Sequence, residues 1–188
     1  MFVASFAVVA VMSFAKPPVV VDADTKAKLQ VIAFQAVRDG DTKTLTEYFA
    51  AGFSVNEANP RGDTLLCVAS YNGQPDVVAL ILKQPGVKIE ARNKMGLTAL
   101  SAAAFKGDVA IAKLLVKHKA DANAANESGQ TPLMFAALTG RTEMVKYLLE
   151  AGADPAAMDK SKNTASSLAR GQGAKELAES IEAARKKP

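Results

Sequence analysis

GQTPLMFAALTGRTEMVKYLLEAGADPAAM, residues 129–158, predicts two short amphipathic helices joined by a turn. Thr131 precedes the first helix, and Pro132 stands at its first position. Gly140 follows the end of that helix, and a second helix in TEMVKYLLEAG ends at Gly152. Proline at the start of a helix and glycine just past its end suit the backbone requirements of those positions. The stretch therefore predicts a helix-turn-helix unit.

The same unit recurs along the chain. Threonines open successive copies at spacings of 34, 33 and 33 residues, and glycines close the first helix of each copy at the same spacings. The threonines are Thr64, Thr98, Thr131 and Thr164, and the glycines are Gly73, Gly107, Gly140 and Gly173. A helix pair repeated with this period is typical of a stacked array, in which each unit buries its apolar face against the next.

The motifs inside each copy point to a known family. They read TPLMFA, LTG, VKYLL and GAD in the copy that starts at Thr131, and the other copies read TLLCVA with VVALIL, TALSAA with IAKLLV, and TASSLA with a weaker second helix. These motifs resemble the ankyrin repeat, and the resemblance covers residues 26–188. It implies an all-α ankyrin-repeat solenoid of about five helix-turn-helix repeats, with short hairpin tips and degenerate capping repeats.

One departure from the family pattern is systematic. The position that usually holds His in Thr-Pro-Leu-His is occupied by Cys67, Ser101, Met134 and Ser167. A hydrogen-bonding side chain near the hairpin is thereby lost, so we expect a weaker network between repeats. A second departure is Lys162, which stands where earlier copies have glycine. Because glycine tolerates positive φ, we expect the last hairpin to be distorted.

Both ends of the array read as caps. Residues 26–58 fit a degenerate first repeat with a polar start, and the apolar residues predicted to face its core are Leu29, Ile32, Ala33, Ala36 and Val37. The stretch GQGAKELAESIEAARKK predicts a closing helix with a polar outer face. End repeats of a solenoid need such faces because no further repeat covers them.

The bulk composition predicts an ordinary globular chain. Its 188 residues are 49% hydrophobic and 22% charged, which is typical of a folded domain with a real core. The net charge is +4, but Arg185, Lys186 and Lys187 lie within the last four residues. The basic balance therefore reflects a tail, and the chain has no basic stripe with interleaved aromatics that would indicate a nucleic-acid surface.

Residues 1–15, MFVASFAVVAVMSFA, are uncharged and almost wholly apolar. The length suits a signal peptide and is short for a bilayer span, and Ser13 and Ala15 offer small residues before a cleavage point. We predict cleavage after Ala15, a linker over residues 16–25, and no membrane span after cleavage. The alternative is an uncleaved apolar arm packed on the first repeat, because no Lys or Arg precedes the apolar run.

The single cysteine is compatible with export. Cys67 cannot form an intrachain disulfide, and its place in a first helix predicts a small buried hydrophobe. An exported protein without disulfides fits a bacterial periplasm at least as well as a eukaryotic secretory route. We therefore expect a periplasmic location, with secretion as the alternative.

No catalytic constellation is apparent in the sequence. His118 is the only histidine and Cys67 the only cysteine, so neither a zinc site nor a nucleophile-histidine arrangement can be assembled. Gly171 and Gly173 lack the preceding strand of a phosphate-binding loop. We expect a protein without enzymatic activity, metal or cofactor.

The resemblance also implies where a partner would bind. Ankyrin repeats usually hold partners with their hairpin tips and the exposed side of their first helices. The tips here include Lys94 and Lys160, and the matching helix positions are Arg38, Tyr71, Phe105, Leu138 and Gly171. The predicted partner-binding residues are Arg61, Asp63, Tyr71, Asn72, Met95, Leu97, Phe105, Lys106, Gln130 and Leu138. The alternative is that the large apolar members pack between helices as core.

These observations favour a protein-binding module that is a monomer when unbound. With the predicted export, the partner would be a periplasmic protein, and a chain without chemistry could act by covering an enzyme. The hypothesis is an inhibitor or immunity-type protein that masks an enzyme such as a cell-wall hydrolase. The alternatives are a structural or stress-associated scaffold that does not inhibit its partner, and a secreted effector that binds host proteins.

Overall fold

The computed structural model describes residues 21–185, and within that range the chain forms ten α-helices in five consecutive pairs. The helices are α1 (Ala23–Asp39), α2 (Thr42–Ala50), α3 (Leu65–Asn72), α4 (Pro75–Leu82), α5 (Ala99–Lys106), α6 (Val109–Lys117), α7 (Pro132–Leu138), α8 (Thr142–Glu150), α9 (Ala165–Gly171) and α10 (Lys175–Arg185). In this part of the chain there is no strand, only an isolated bridge between Ala58 and Thr64. The predicted all-α solenoid of five helix pairs is confirmed.

Threonine caps start the first helix of every repeat after the first. The hydroxyl of each cap accepts a hydrogen bond from the backbone N–H three residues later, at 3.2 Å in Thr64, 3.3 Å in Thr98, 3.4 Å in Thr131 and 3.2 Å in Thr164. These bonds satisfy one of the N–H groups that a helix leaves without a partner at its start. The repeat period seen in the sequence is therefore the period of the caps.

The first helices stack on one another, and the second helices form a parallel outer layer. Helices α3, α5, α7 and α9 pack in succession, as do α4, α6 and α8. Alanine recurs at the same place in successive first helices and is fully buried each time, at Ala69, Ala103, Ala136 and Ala169. A methyl group there lets neighbouring helices approach closely.

Four hairpin tips, hairpin 1 (residues 59–63), hairpin 2 (93–97), hairpin 3 (126–130) and hairpin 4 (159–163), share one construction. The first side chain of each accepts hydrogen bonds from the backbone N–H groups two and four residues later, at 2.8–3.0 Å. Asn59, Asn93, Asn126 and Asp159 are these residues. Short polar side chains commonly organise turns in this way.

Hairpin 4 is not distorted, so that prediction was wrong. Lys162 adopts φ 64°, and its N–H donates to the Asp159 carbonyl at 2.9 Å, as the glycines of the other tips do. The earlier tips need glycine not only for its positive φ but also for space. A Cβ at Gly62 would lie 3.0 Å from the backbone nitrogen of Lys94, and a Cβ at Gly96 would lie 3.0 Å from that of Glu127. No described hairpin follows hairpin 4, so the lysine side chain meets no such obstacle.

The positions that replace the family's histidine make no bond to a neighbouring repeat among the described residues. Cys67 and Met134 are buried in the core. The Ser101 hydroxyl lies 3.2 Å from that of Thr98, and the Ser167 hydroxyl accepts from the Thr164 N–H at 2.9 Å. The two serines thus bond only within their own helix start. That such a network is weaker stays a prediction.

Other side chains join successive repeats through the loops that follow the second helices. The Asn56 amide donates to the Gly86 carbonyl and accepts from the Lys88 N–H, both at 2.8 Å. Asn123 repeats this arrangement with Gly152 at 3.0 Å and Asp154 at 2.7 Å. These bonds hold successive loops in register.

The N-terminal end differs from its prediction in two respects. Helix α1 begins at Ala23, inside the expected linker, because the Asp22 carboxylate accepts from the Thr25 N–H at 2.9 Å and caps it. Ile32, expected in the core, is 49% exposed and Val31 is 70% exposed, whereas Phe34 is buried. In the described part of the chain, α1 packs on α2 and α3, and Phe34 lies on its buried face. Residues 1–20, which include the predicted signal peptide, lie outside the described residues.

Helix α10 packs on the preceding repeats with an apolar inner face, as its sequence predicts. Leu177, Ala178 and Ile181 are buried on the inner face of α10. An ion pair between Arg170 and Glu182, at 2.9 Å, joins α9 to α10 on the outside.

Candidate functional site

A cleft of about 850 Å³ opens between hairpins 1 and 2 and the first helices α3 and α5. It brings together seven of the ten residues predicted to bind a partner. They are Arg61, Asp63, Tyr71, Asn72, Met95, Leu97 and Phe105. Their sequence positions are far apart, and the cleft joins them because hairpins and helix ends of successive repeats lie side by side.

Tyr71 and Phe105, the aromatic pair, form the largest apolar feature of the cleft. Their rings are nearly parallel, with an interplanar angle of 16° and centroids 6.3 Å apart. Each ring projects from the end of a first helix, so one repeat stacks its ring on that of the next. Tyr71 is 48% exposed and Phe105 39% exposed. The pair therefore lies on the surface and does not pack between helices.

Lys106 does not line the cleft but stands beside the aromatic pair. Its Nζ lies 5.1 Å from the centroid of the Tyr71 ring, within the range of a cation–π interaction. Such a contact orients the ring and places a positive charge next to it. The predicted grouping of Lys106 with the aromatic residues is thus seen in the structure.

Asp63 has an intramolecular role that the sequence did not reveal. One of its carboxylate oxygens accepts from Asn93 at 2.7 Å, and the other accepts from Asn59 at 3.1 Å and lies 3.2 Å from Arg61 Nε. Only 14% of its side chain is exposed. Asp63 therefore ties hairpin 1 to hairpin 2 and has little capacity left for a partner.

The other two predicted residues lie outside the cleft. The Gln130 side-chain oxygen accepts from the Asn126 amide at 3.1 Å and stabilises its own hairpin. Leu138 is half-buried at the end of α7, although it occupies the same repeat position as Tyr71 and Phe105. The smaller leucine does not extend the aromatic surface into the cleft.

Phe135, also in the cleft, was missed by the sequence prediction. It is half-buried and lies four residues after its threonine cap, where the preceding copies have Val68 and Ala102. Val68 and Ala102, its counterparts, also line the cleft. The larger size of Phe135 at that position was the available signal.

Positive charge surrounds the cleft. Arg38, Arg61 and Lys94 line it, and Asp63 is the only carboxylate that does so. Among the described residues, Arg38, Lys94 and Lys106 form no salt bridge, whereas Arg61 pairs with Asp63. Arg38, Lys94 and Lys106 are therefore available to a partner.

The lone cysteine and histidine do not form a reactive site. Burial raises the pKa of the Cys67 thiol to about 12, which keeps it neutral and unreactive at physiological pH. His118 ends α6, and its Nδ1 lies 2.8 Å from the Leu114 carbonyl oxygen. Across residues 21–185, no three His, Cys, Asp or Glu side chains are placed to hold a metal ion. Over the same range, no helix has both the length and the apolar character needed to cross a membrane.

Comparison with known proteins agrees with the architecture. A family model described as ankyrin repeats, in three copies, matches residues 33–126 and 85–159. The chain is also similar to alpha-latrocrustotoxin-Lt1a of Latrodectus tredecimguttatus, with 37% identity over 73 residues that cover 37% of this chain and 5% of the toxin. The chain therefore spans only a small part of the length of that relative. Stacked helix pairs, threonine caps, repeated hairpins and the family match together show that the chain belongs to the ankyrin-repeat family.

Proposed function

We propose that this chain is a non-enzymatic module that binds one protein partner through the cleft around Tyr71 and Phe105. Binding another protein is the general function that ankyrin repeats imply. The observation that supports this particular site is the exposed, stacked aromatic pair above an apolar floor.

The arrangement has the anatomy of a binding site. Large aromatic side chains at the centre of an interface commonly carry much of the binding energy, and a polar rim excludes water around them. Here Met95 and Leu97 extend the apolar surface, and Arg61 and Asn72 lie at its edge. An exposed apolar patch of this kind on a folded protein usually marks an interface.

We further propose that the partner is a periplasmic enzyme and that the chain acts as an inhibitor or immunity-type protein by covering it. The support comes from the apolar, uncharged residues 1–15 with small residues at Ser13 and Ala15, and from a cysteine that is buried and unpaired by disulfide. A cell-wall hydrolase is one such enzyme. N-terminal sequencing of the mature protein tests the signal-peptide cleavage on which this location depends, and a start at Lys16 is expected.

Affinity capture from a bacterial periplasmic extract tests the binding site. The protein is used as bait in its natural form and as the double variant Tyr71→Ala/Phe105→Ala. A matched control, Val31→Ala/Met158→Ala, removes exposed apolar side chains outside the cleft. We expect one partner to be captured by the natural protein and the control but not by the aromatic variant. Equal capture by all three would show that the partner binds elsewhere.

An activity assay on the captured enzyme tests inhibition. Addition of the natural protein should lower enzyme activity in proportion to the complex formed, and the aromatic variant should not. Unchanged activity in a fully formed complex would reject the inhibitor hypothesis in favour of a scaffold.

A further inference from the structure

We propose that the cleft takes an extended acidic segment of its partner, with a large apolar side chain of that segment seated against the aromatic pair. This inference rests on the proposed protein-binding function and specifies the chemistry of the partner. It is carried by the charges around the cleft, the order of residues along the stack, and the contrast with the rest of the same face.

The charge of the cleft is one-sided. Three cations, Arg38, Arg61 and Lys94, line it, and Lys106 adjoins it through the Tyr71 ring. The one lining carboxylate, Asp63, is already bonded to Asn59, Asn93 and Arg61. A partner would therefore meet a surplus of positive charge that the protein does not neutralise itself. Carboxylates are the complementary groups, and a basic segment would be repelled.

The positive and aromatic groups also follow an order along the stack. Arg38 occupies in the first repeat the position held by Tyr71 in the second and Phe105 in the third. A segment lying along the stack would pass a guanidinium, then the aromatic pair, with Lys94 on the hairpin side. An acidic residue close to a large apolar one, in either chain direction, fits this order.

The equivalent positions beyond the cleft do not combine positive charge with an aromatic surface. Leu138 and Gly171 continue the helix row, and the following tips carry Glu127 in hairpin 3 and Lys160 and Lys162 in hairpin 4. The combination of apolar floor and surplus positive charge is thus confined to the first three repeats. The acidic segment is expected to bind there and not along the whole face.

Selection from a random library of 12-residue peptides displayed on phage tests the inference without assuming a sequence. The library is selected on the full chain, and peptides that also bind Tyr71→Ala/Phe105→Ala are removed. The remaining peptides are synthesised, and their affinities are measured by fluorescence anisotropy. We expect them to be rich in Asp and Glu around an aromatic or large aliphatic residue. Neutral or basic peptides, or an absence of cleft-dependent peptides, would overturn the inference.

Charge reversal provides the second measurement. Lys94→Glu/Lys106→Glu should weaken binding of the selected peptides by about tenfold or more, because rim charges govern association and partner choice. The control Lys43→Glu/Lys146→Glu changes the net charge equally at exposed positions on second helices and should leave affinity unchanged. The effect of Lys94→Glu/Lys106→Glu should shrink as salt is raised, because exposed charges are screened. Equal effects of the two double variants would overturn the inference.

The same variants separate this inference from the function on which it rests. If the captured periplasmic partner depends on the aromatic pair but not on Lys94 and Lys106, the cleft is the binding site and its acidic preference is refuted. If the partner depends on neither, the proposed site itself is refuted.

Discussion

The first three repeats and the last two share one backbone but present different surfaces. In the first part, Arg38, Tyr71 and Phe105 form a continuous row that borders a cleft. In the second, the same row continues as Leu138 and Gly171, and no aromatic ring extends it. The threonine caps, paired helices and hairpins of the second and third repeats recur in the last two. In a solenoid, therefore, a binding surface can be confined to a few repeats without any change of fold.

The largest expected difference between the two parts concerns partner binding. Tyr71→Ala or Phe105→Ala should each weaken partner binding by about 2 kcal/mol or more, roughly thirtyfold, because each removes a central aromatic anchor. Leu138→Ala, at the matching position outside the cleft, should have a much smaller effect. Isothermal titration calorimetry with the captured partner measures all three. A loss from Leu138→Ala as large as from Phe105→Ala would place the interface over the later repeats as well.

The second comparison concerns the hairpins. Gly96→Ala should lower the free energy of unfolding by about 2 kcal/mol, because φ is +75° and the new Cβ would lie 3.0 Å from the Glu127 nitrogen. At the equivalent place in hairpin 4 the natural residue, Lys162, already has a Cβ. Lys162→Ala should therefore change the free energy of unfolding by less than about 0.5 kcal/mol. Urea unfolding of both variants gives the two values. Similar losses would mean that the close approach of the next hairpin is not what demands glycine.

The third comparison concerns the helix caps. Thr98 is buried, so Thr98→Ala should cost about 1–2 kcal/mol because water cannot replace the lost hydrogen bond to Ser101. Thr164 in the last repeat is half-exposed, and Thr164→Ala should cost about 0.5–1 kcal/mol because water can reach the freed N–H. Thermal or urea unfolding distinguishes the two. A larger loss at Thr164 would contradict the dependence on burial.

A smaller effect is expected where the second helix of each repeat ends. Lys119 has φ 72°, whereas the equivalent positions are Gly52 and Gly152. Lys119→Gly should raise the free energy of unfolding by up to about 1 kcal/mol, because relief of left-handed strain exceeds the entropy lost by glycine. The reverse change, Gly152→Lys, should destabilise by a similar amount. A loss of stability from Lys119→Gly would show that its side chain makes a favourable contact that outweighs the strain.

The last prediction is a dependence of stability on alkaline pH. Burial raises the pKa of Cys67 from 9.0 to about 12, so the unfolded thiol ionises first as pH rises. The contribution of the buried neutral thiol is therefore complete below pH 9 and is lost between pH 9 and 12. Cys67→Met takes the residue found at the same position in the fourth repeat and should remove this part of the pH dependence. Urea unfolding of both proteins at pH 8 and pH 10 tests it. An equal fall in the free energy of unfolding between the two pH values would contradict it.

The repeat period, the helix pairs and the family could be predicted from the amino-acid sequence, because they depend on local chemistry. A threonine that caps its own helix and a glycine that ends it act within a few residues. The exposure of Tyr71 and Phe105 also followed from their place in the repeat pattern.

Which repeat positions meet in a cleft could not be predicted from the sequence, because it depends on contacts between side chains one repeat apart. Phe135 enters the cleft, Leu138 does not, and Asp63 is held by Asn93 of the next hairpin. Lys162 fits a regular hairpin because no described hairpin follows hairpin 4. The residues of the hairpin alone do not reveal this. Phe34 is buried and Ile32 is not because α2 and α3 cover one side of α1. Local sequence specifies the helices and turns of each repeat, and contacts between repeats specify which side chains line the cleft.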